Sequence, residues 1–128
     1  MKFTEKARKQ IKERSGERCE VCGSLALNPQ IHHRRPRGMG GSKDPVCGSP
    51  ANGIWIHPAC HAKIEGWRLW AYDHGYLVKQ NHDPRYIPIK IGLFWYLLDD
   101  EGNKKMWHGP MEFTDATALK RFDGTKDA

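Results

Sequence analysis

Residues 53–64 read GIWIHPACHAKI, and this stretch contains a short strand, two candidate metal ligands and the start of a helix. Its IWI run is apolar and is typical of a buried strand. Pro58 suits the first residue of a helix, with His57 at the N-cap position. The pattern predicts that this helix runs to about His74, where Gly75 would end it. The core side of the predicted helix carries Ile64, Trp67 and Ala71.

The pair His57-x-x-Cys60 is matched upstream by a second pair, Cys19-x-x-Cys22. Two pairs of soft ligands with two-residue gaps are common in structural zinc sites. One zinc ion on these side chains would close about 40 residues of chain and stabilise a small core. A redox role for Cys19 and Cys22 is less favoured, because neither a helix start nor a βαβ pattern surrounds them. Cys47 could replace His57 as the fourth ligand or be a bystander, and we prefer His57 because Cys47 has no partner at ligand spacing.

Three further histidines lie outside this predicted zinc site: the adjacent pair His32 and His33, and His61 directly after Cys60. Neighbouring side chains point to opposite faces of a strand and diverge by about 100° on a helix. If Cys60 faces the zinc, His61 therefore faces elsewhere, and the two members of the pair have different roles. One of them is predicted to form a second, open metal site with His61, which leaves the other as a base. An imidazole suits both roles, since its ordinary pKa of about 6.5 is close to working pH.

The charge distribution favours a polyanionic partner. Residues 1–63 carry 12 Lys and Arg against 5 Asp and Glu, whereas residues 64–128 carry 9 against 10. The excess positive charge thus lies in the half that holds the cysteines and the paired histidines. Solubility alone could explain net charge, but charge beside metal-type residues favours nucleic acid, and DNA is the predicted partner.

Length and composition predict a single domain with a modest core, since the chain has 128 residues and only 38% of them are hydrophobic. The N-terminus has no apolar stretch behind its charges, and no run of about 18 apolar residues exists. We therefore expect neither a signal peptide nor a membrane partner. Four cysteines in such a chain favour a reducing, cytoplasmic location.

Four segments are predicted within this α+β domain. Residues 1–18 form a basic helix with Thr4 as N-cap and an end near Arg14, followed by the metal-binding core at 19–75. In that core, two short extended pieces surround an Asn-Pro turn, and residues 36–53 form a long loop. Residues 76–108 form a β extension with strands at YLV, YIPIKI and a hairpin of LFWYLL against KKMW. Residues 109–128 form a tail with one short helix at 114–122.

The ordered set Cys-x-x-Cys, His-His, Asn and His-x-x-Cys-His resembles the HNH endonuclease family, the ββα-metal nucleases, over roughly residues 19–68. The stretches IHHRRPRGMGGS, SPANGIWIHPACHAKIEGWR and GYLVKQ are similar to small HNH proteins of phages and prophages. The resemblance implies a zinc-stapled ββα-metal core and a metal-dependent DNA endonuclease that hydrolyses phosphodiester bonds by nicking or double-strand cleavage. It also implies a phage protein of the bacterial host cytoplasm, linked to DNA packaging, with terminase subunits as partners.

The resemblance assigns roles to four residues of this sequence. His33 matches the general base that takes a proton from the attacking water. His32, at a position often occupied by Asp, and His61 match the ligands of one catalytic divalent cation, which could be Mg²⁺, Mn²⁺, Ni²⁺ or Zn²⁺. Asn52 matches the central asparagine that fixes the loop and holds the base through backbone hydrogen bonds. A histidine at position 32 gives two neutral ligands and favours transition metals over Mg²⁺, and the His57 ligand stands where many relatives have Cys.

Basic residues beside the predicted centre are candidates for DNA contact: Arg34, Arg35, Arg37, Lys43 and Arg68. Three of these arginines lie within four residues, which favours phosphate contacts over a solvated loop face. Glu65 and Arg68 lie one and two turns beyond His61 on the same helical stripe, and a surface ion pair between them is the preferred interpretation, with a metal-shell or DNA role second. Trp67 and Trp95 are expected in the core rather than stacked on bases.

Two other functions fit the same residues. The cysteine pairs and the basic half are compatible with a zinc-containing DNA-binding module that has no catalysis. The resemblance is also compatible with a terminase-associated adaptor. Loss of DNA cleavage on replacing His33 would separate the endonuclease from both alternatives.

Overall fold

The computed structural model describes residues 2–36 and 44–109, which form three helices and two small antiparallel sheets. The predicted α+β class is therefore confirmed. The helices are α1 (Glu5–Ser15), α2 (Pro58–Gly66) and α3 (Arg68–Asp73). The strands are β1 (Gln30–His33), β2 (Gly53–Ile56), β3 (Ile89–Ile91), β4 (Phe94–Leu98) and β5 (Lys104–Met106). Arg37, Lys43 and the helix predicted at 114–122 lie outside the described residues.

Helix α1 begins and ends where the sequence predicts. The Thr4 hydroxyl accepts a hydrogen bond from the Ala7 amide at 3.1 Å, and Gly16 ends the helix with φ of 63°. Ile11 is fully buried and packs beside the start of β2. A Cβ at Gly53 would lie 2.6 Å from Ile11 Cδ1, so the glycine allows α1 to approach this strand closely.

A buried ion pair fastens α1 to the rest of the core. Arg14 donates to both oxygens of Glu20, at 2.9 and 2.8 Å, and each side chain is 1% exposed. Arg14 also donates to the carbonyls of Pro50 and Gly53, while Glu20 accepts from the Trp55 amide. All these partners satisfy charges that would otherwise be costly to bury.

Strands β1 and β2 and helix α2 form a continuous ββα unit. The two strands are antiparallel, with His32 opposite Ile54 and His33 opposite Gly53. The predicted IWI strand is confirmed, and its two isoleucines are fully buried with Ile64 of α2. This packing places the end of β1 beside the first turns of α2, because β2 leads directly into that helix.

The single helix predicted for residues 58–74 is wrong, because the chain breaks at Trp67 into α2 and α3. Trp67 has φ of −122° and ψ of 66°, and it follows Gly66, a poor helix former. The break leaves the Trp67 side chain 62% exposed, so its expected core position is also wrong. Ile64 and Ala71 are buried as predicted. Gly75 does end the helical region, since its φ is 80° and a Cβ there would meet the Pro88 carbonyl oxygen.

The C-terminal extension contains three strands rather than the four predicted. The hairpin of β4 and β5 is confirmed, with Leu98 opposite Lys104, and Trp95 is buried as expected. The YLV segment at 76–78 is not a strand. Its amides instead donate to the carbonyls of Ala71 and Arg34, so no partner strand satisfies them. The first extended piece predicted before β1 is reduced to an isolated bridge between Arg18 and Leu25.

None of the three described helices has the length and apolar character needed to cross a lipid bilayer.

Candidate metal centres and histidine cleft

The two predicted ligand pairs meet at the start of α2. One ligand atom each from Cys19, Cys22 and His57 lies within 4.8 Å of the others. Cys60 also lies beside these ligands, as its thiol interacts with the sulfurs of Cys19 and Cys22. We call these residues the Cys-His cluster: Cys19, Cys22, His57 and Cys60. Three thiols and one imidazole are a donor set that fits zinc, so the cluster could hold a metal ion such as zinc.

Local hydrogen bonds shape this cluster. The Ser24 hydroxyl lies 3.1 Å from Cys22 Sγ and 2.9 Å from His57 Nε2. His57 occupies the N-cap position of α2 as predicted, but its side chain makes no capping bond and turns to the cluster instead. Burial alone would raise the pKa of the Cys22 thiol, but hydrogen bonds with Ser24 and the neighbouring thiols bring it to about 6. Burial and the adjacent sulfurs raise the pKa of Cys60 to about 12.

The alternative of Cys47 as fourth ligand is not favoured by its position. Cys47 lies in a short 3-10 turn, Pro45–Gly48, and is fully buried. Its sulfur lies 3.3 Å from Nη2 of Arg35, which donates to it. His57, by contrast, lies within the group of Cys19 and Cys22.

A second group of candidate ligands forms where β1 meets α2. The rings of His32 and His61 are 5.0 Å apart, and one ligand atom of each lies within 4.8 Å of a Glu65 oxygen and of the other. They line an open cleft of about 250 Å³. We call it the histidine cleft, and its lining residues are Ile31, His32, His33, Pro36, His61 and Glu65. The structure brings His32 and His61 together as the sequence predicts, and it adds Glu65, for which the sequence puts a metal role second to an ion pair.

Hydrogen bonds fix the tautomer of both imidazoles in this group. His32 Nε2 lies 2.9 Å from the Tyr76 carbonyl oxygen, which can only accept, so Nε2 carries the proton and Nδ1 keeps its lone pair. His61 Nδ1 lies 2.7 Å from Gln30 Oε1, an oxygen that can only accept, so Nδ1 carries a proton and Nε2 is the nitrogen that could bind a metal. Metal-binding histidines usually donate their other ring N–H in this way.

The carboxylate of Glu65 is oriented by a neighbouring side chain. One oxygen accepts from Arg68 Nη1 at 3.1 Å, and the other lies 3.8 Å from His61 Nε2. The predicted surface ion pair between Glu65 and Arg68 is thus confirmed. Because Arg68 engages only one oxygen, the second remains directed towards the imidazole.

Burial keeps His32 neutral. The side chain is 5% exposed, and this burial is the main reason that its pKa is lowered to about 4, with His61, His33 and Arg34 acting in the same direction. The hydrogen bond to Tyr76 opposes the shift. Since only a neutral imidazole binds a metal ion, His32 has the ligand-competent form at neutral pH.

His33 and Asn52 stand beside this ligand group. The His33 ring is partly exposed in the histidine cleft and stacks on Phe3 with ring centroids 4.2 Å apart. Asn52 is fully buried, and its side chain bonds the amide and carbonyl of Arg35 and the carbonyl of Cys47. Its own carbonyl accepts from the Arg34 amide at 2.7 Å. Asn52 therefore fixes the chain that directly follows His33, through backbone hydrogen bonds.

The expectation that Arg34 binds phosphate is wrong. Arg34 is fully buried, and its guanidinium donates to four backbone carbonyls, those of Gly75, Ala51, Pro84 and Ile87, at 2.8 to 3.0 Å. Because every guanidinium nitrogen donates inside the protein and the side chain is fully buried, Arg34 cannot reach a ligand. The residue connects the end of β1 to the chain that follows α3.

Arg35 is also structural rather than exposed to DNA. It is 7% exposed and donates to the His82 carbonyl, the Asp44 carboxylate and the Cys47 sulfur. Three of the five predicted DNA contacts lie in the described part of the chain, and of these only Arg68 is on the surface.

Sequence reasoning missed two contributors to the histidine cleft, Gln30 and the Tyr76 carbonyl, and gave a third, Glu65, a metal role only as second choice. Glu65 follows His61 by four residues, a helical spacing that predicts a shared face, but the sequence favours its ion pair with Arg68 over a metal role. Gln30 precedes His32 by two residues on β1, which also indicates a shared face but not a hydrogen bond to His61. The Tyr76 carbonyl is a backbone group and has no sequence signature.

Comparisons with protein-family models, with curated proteins and with solved structures give no match for this chain.

Proposed function

We propose that this protein is a metal-dependent DNA endonuclease of the HNH, or ββα-metal, class. The observation that carries the proposal is the histidine cleft. Two imidazoles and one carboxylate converge there from a strand and a helix of one ββα unit, beside a third imidazole that the ligand group does not use. The Cys-His cluster lies at the start of the same helix, where zinc would hold the unit together.

His32, His61 and Glu65 would hold the catalytic cation. A divalent cation bound there would stabilise the negative charge that develops on the phosphate and on the leaving oxygen. Two nitrogen ligands and a single carboxylate favour Mn²⁺, Ni²⁺ or Zn²⁺ over Mg²⁺, which prefers oxygen ligands.

His33 would take the proton from the attacking water. Its ring is accessible in the cleft, and stacking on Phe3 restricts the orientation of the ring plane. Asn52 acts as a positioning residue, because its hydrogen bonds fix the backbone next to His33. A correctly oriented base of this kind typically contributes about 10²- to 10⁴-fold to rate.

The test is cleavage of supercoiled plasmid with Mg²⁺, Mn²⁺ or Ni²⁺. We expect nicked or linear product with the wild-type protein and a loss of about 100-fold or more with His33→Ala. The matched control is His108→Ala, because His108 is exposed and does not line the cleft. Intact plasmid with every cation, or equal cleavage by wild type and His33→Ala, would contradict the proposal.

A second candidate is a zinc-containing DNA-binding module without catalysis. The observation that favours it is the set of exposed basic residues on α1: Lys6, Arg8, Lys9 and Lys12. In that case wild type binds duplex DNA without cutting it, and His33→Ala binds with unchanged affinity. The same plasmid experiment, run beside a gel-shift assay, separates the two functions.

A further inference from the structure

Burial of Arg34 and Arg35 leaves open how a DNA backbone is held at the histidine cleft. We propose that Arg68 and Lys79, both held over the ring of Tyr72, form a phosphate-binding rim of this cleft. We call these residues the basic rim: Arg68, Tyr72 and Lys79. The proposal rests on the proposed function in its choice of partner, which is the phosphodiester backbone of DNA.

The Tyr72 ring brings the two cations together. Arg68 Cζ lies 5.9 Å from the ring centroid, and Lys79 Nζ lies 5.6 Å from it. Arg68 belongs to α3, whereas Lys79 follows the irregular segment after that helix. Cations within about 6 Å of an aromatic ring are attracted to it, so both positive groups are held beside the Tyr72 ring.

Two contacts connect the basic rim to the histidine cleft. On one side, Arg68 donates to Glu65, which lines the cleft. On the other side, Gln80 follows Lys79 and donates to the carbonyl of Pro36, which lines the same cleft. The rim and the cleft are therefore parts of one continuous surface.

The chemistry of the rim fits phosphate esters. A guanidinium can bind two phosphate oxygens at once, and an ammonium adds a compact positive charge. Both side chains reach solvent, since the Arg68 side chain is 47% exposed and Lys79 is partly exposed. A strand that enters the histidine cleft would therefore meet these two positive charges beside it.

The experiment measures the affinity of a short fluorescent DNA duplex as a function of salt, in a His33→Ala background without added divalent cation. Each phosphate contact contributes a slope of about −0.9 in log affinity against log salt. We expect Arg68→Gln and Lys79→Gln each to weaken binding to different sequences alike and to reduce the slope by about 1. Tyr72→Leu should release both cations and weaken binding, whereas Tyr72→Phe keeps the ring and should bind like the parent.

The matched control is Lys104→Gln. Lys104 is exposed and lies over Tyr96 at 4.9 Å, so it has the same kind of ring contact, but it belongs to the second sheet. An unchanged affinity and slope in the Arg68 and Lys79 variants, or a loss equal to that of the control, would overturn the proposal. Competition by an acidic polypeptide as strong as that by DNA would also overturn it, because the rim would then bind any polyanion.

The binding experiment distinguishes failure of the basic rim from failure of the proposed endonuclease function. Duplex binding is measured without cutting, so a protein that never cleaves plasmid can still show the expected loss of slope. Conversely, if the wild-type protein cleaves plasmid but the rim variants bind DNA normally, the endonuclease proposal stands and the rim proposal is refuted.

Discussion

Replacing Arg34 separates a structural role from a DNA-binding one. The sequence favoured phosphate contact for this residue, whereas its guanidinium is buried against four backbone carbonyls. These carbonyls come from three places in the chain: Ala51 before β2, Gly75 after α3, and Pro84 and Ile87 before β3. We therefore expect Arg34→Met to destabilise the fold.

The magnitude follows from the number of hydrogen bonds lost. Each buried acceptor that loses its donor costs about 1–3 kcal/mol, so four would cost about 4–12 kcal/mol. Water entry and shifts of the backbone reduce this sum, so we expect about 4 kcal/mol, near the 3–5 kcal/mol typical of breaking a buried charge network. A domain of this size is stable by only about 5–15 kcal/mol. Arg34→Lys should lose less stability than Arg34→Met, because an ammonium can still donate to as many as three of the four carbonyls.

The assay is urea unfolding followed by tryptophan fluorescence, with the Cys-His cluster saturated with zinc. The control is Arg68→Met, a surface arginine from the same set of predicted DNA contacts, which should change the free energy of unfolding by no more than about 0.5 kcal/mol. Arg34→Lys supplies a variant for DNA binding if Arg34→Met does not fold. If Arg34→Met unfolds within about 1 kcal/mol of wild type while DNA affinity falls, the structural reasoning is refuted.

Three further predictions concern the metal groups. Cys19→Ser should lose tightly held zinc and cooperative unfolding, whereas Cys47→Ser should keep both, as measured by metal analysis and thermal melts; zinc loss in the Cys47 variant would contradict the ligand assignment. Gln30→Met should weaken Co²⁺ or Ni²⁺ binding at the histidine cleft by about 10- to 100-fold, because His61 loses the acceptor that fixes its tautomer. Calorimetry measures this, and an unchanged affinity would exclude a role for Gln30. His32 has a folded pKa of about 4, below its unfolded value of about 6.5, so its contribution to stability is complete above pH 6.5 and is lost as pH falls towards 4. That loss of unfolding free energy amounts to at most about 3 kcal/mol and should be absent from His32→Asn. Urea unfolding of both proteins at several pH values, with no divalent cation added for the histidine cleft, measures the difference.

The segment after α3 supports the histidine cleft through backbone hydrogen bonds, although none of its described residues lines the cleft. Its Tyr76 carbonyl fixes the tautomer of His32, and the Val78 amide donates to the Arg34 carbonyl. The Tyr76 ring is buried, and burial together with the nearby cysteine sulfurs raises the pKa of its hydroxyl. Tyr76 thus interacts with His32 of the histidine cleft and with the sulfurs of the Cys-His cluster.

Local signals predicted the elements whose start and end are set by nearby residues. Helix α1 begins after Thr4 and ends at Gly16, and the apolar IWI run forms β2. The spacing of the cysteines and of His57 identified the Cys-His cluster, because ligands two residues apart can meet at a turn or in the first turn of a helix. Helical spacing failed for Trp67, because the helix breaks there after Gly66 and leaves the side chain on the surface.

The sequence by itself determined which chemical groups are available: soft ligands in two pairs, a histidine pair on a strand and a further histidine on a helix. Only the tertiary structure decided which of them meet and which charges are buried. It joined Glu65 to His32 and His61, and it enclosed Arg34 among carbonyls of distant segments. The physical reason is that side-chain type is local, whereas burial and backbone hydrogen bonding depend on which distant segments pack together.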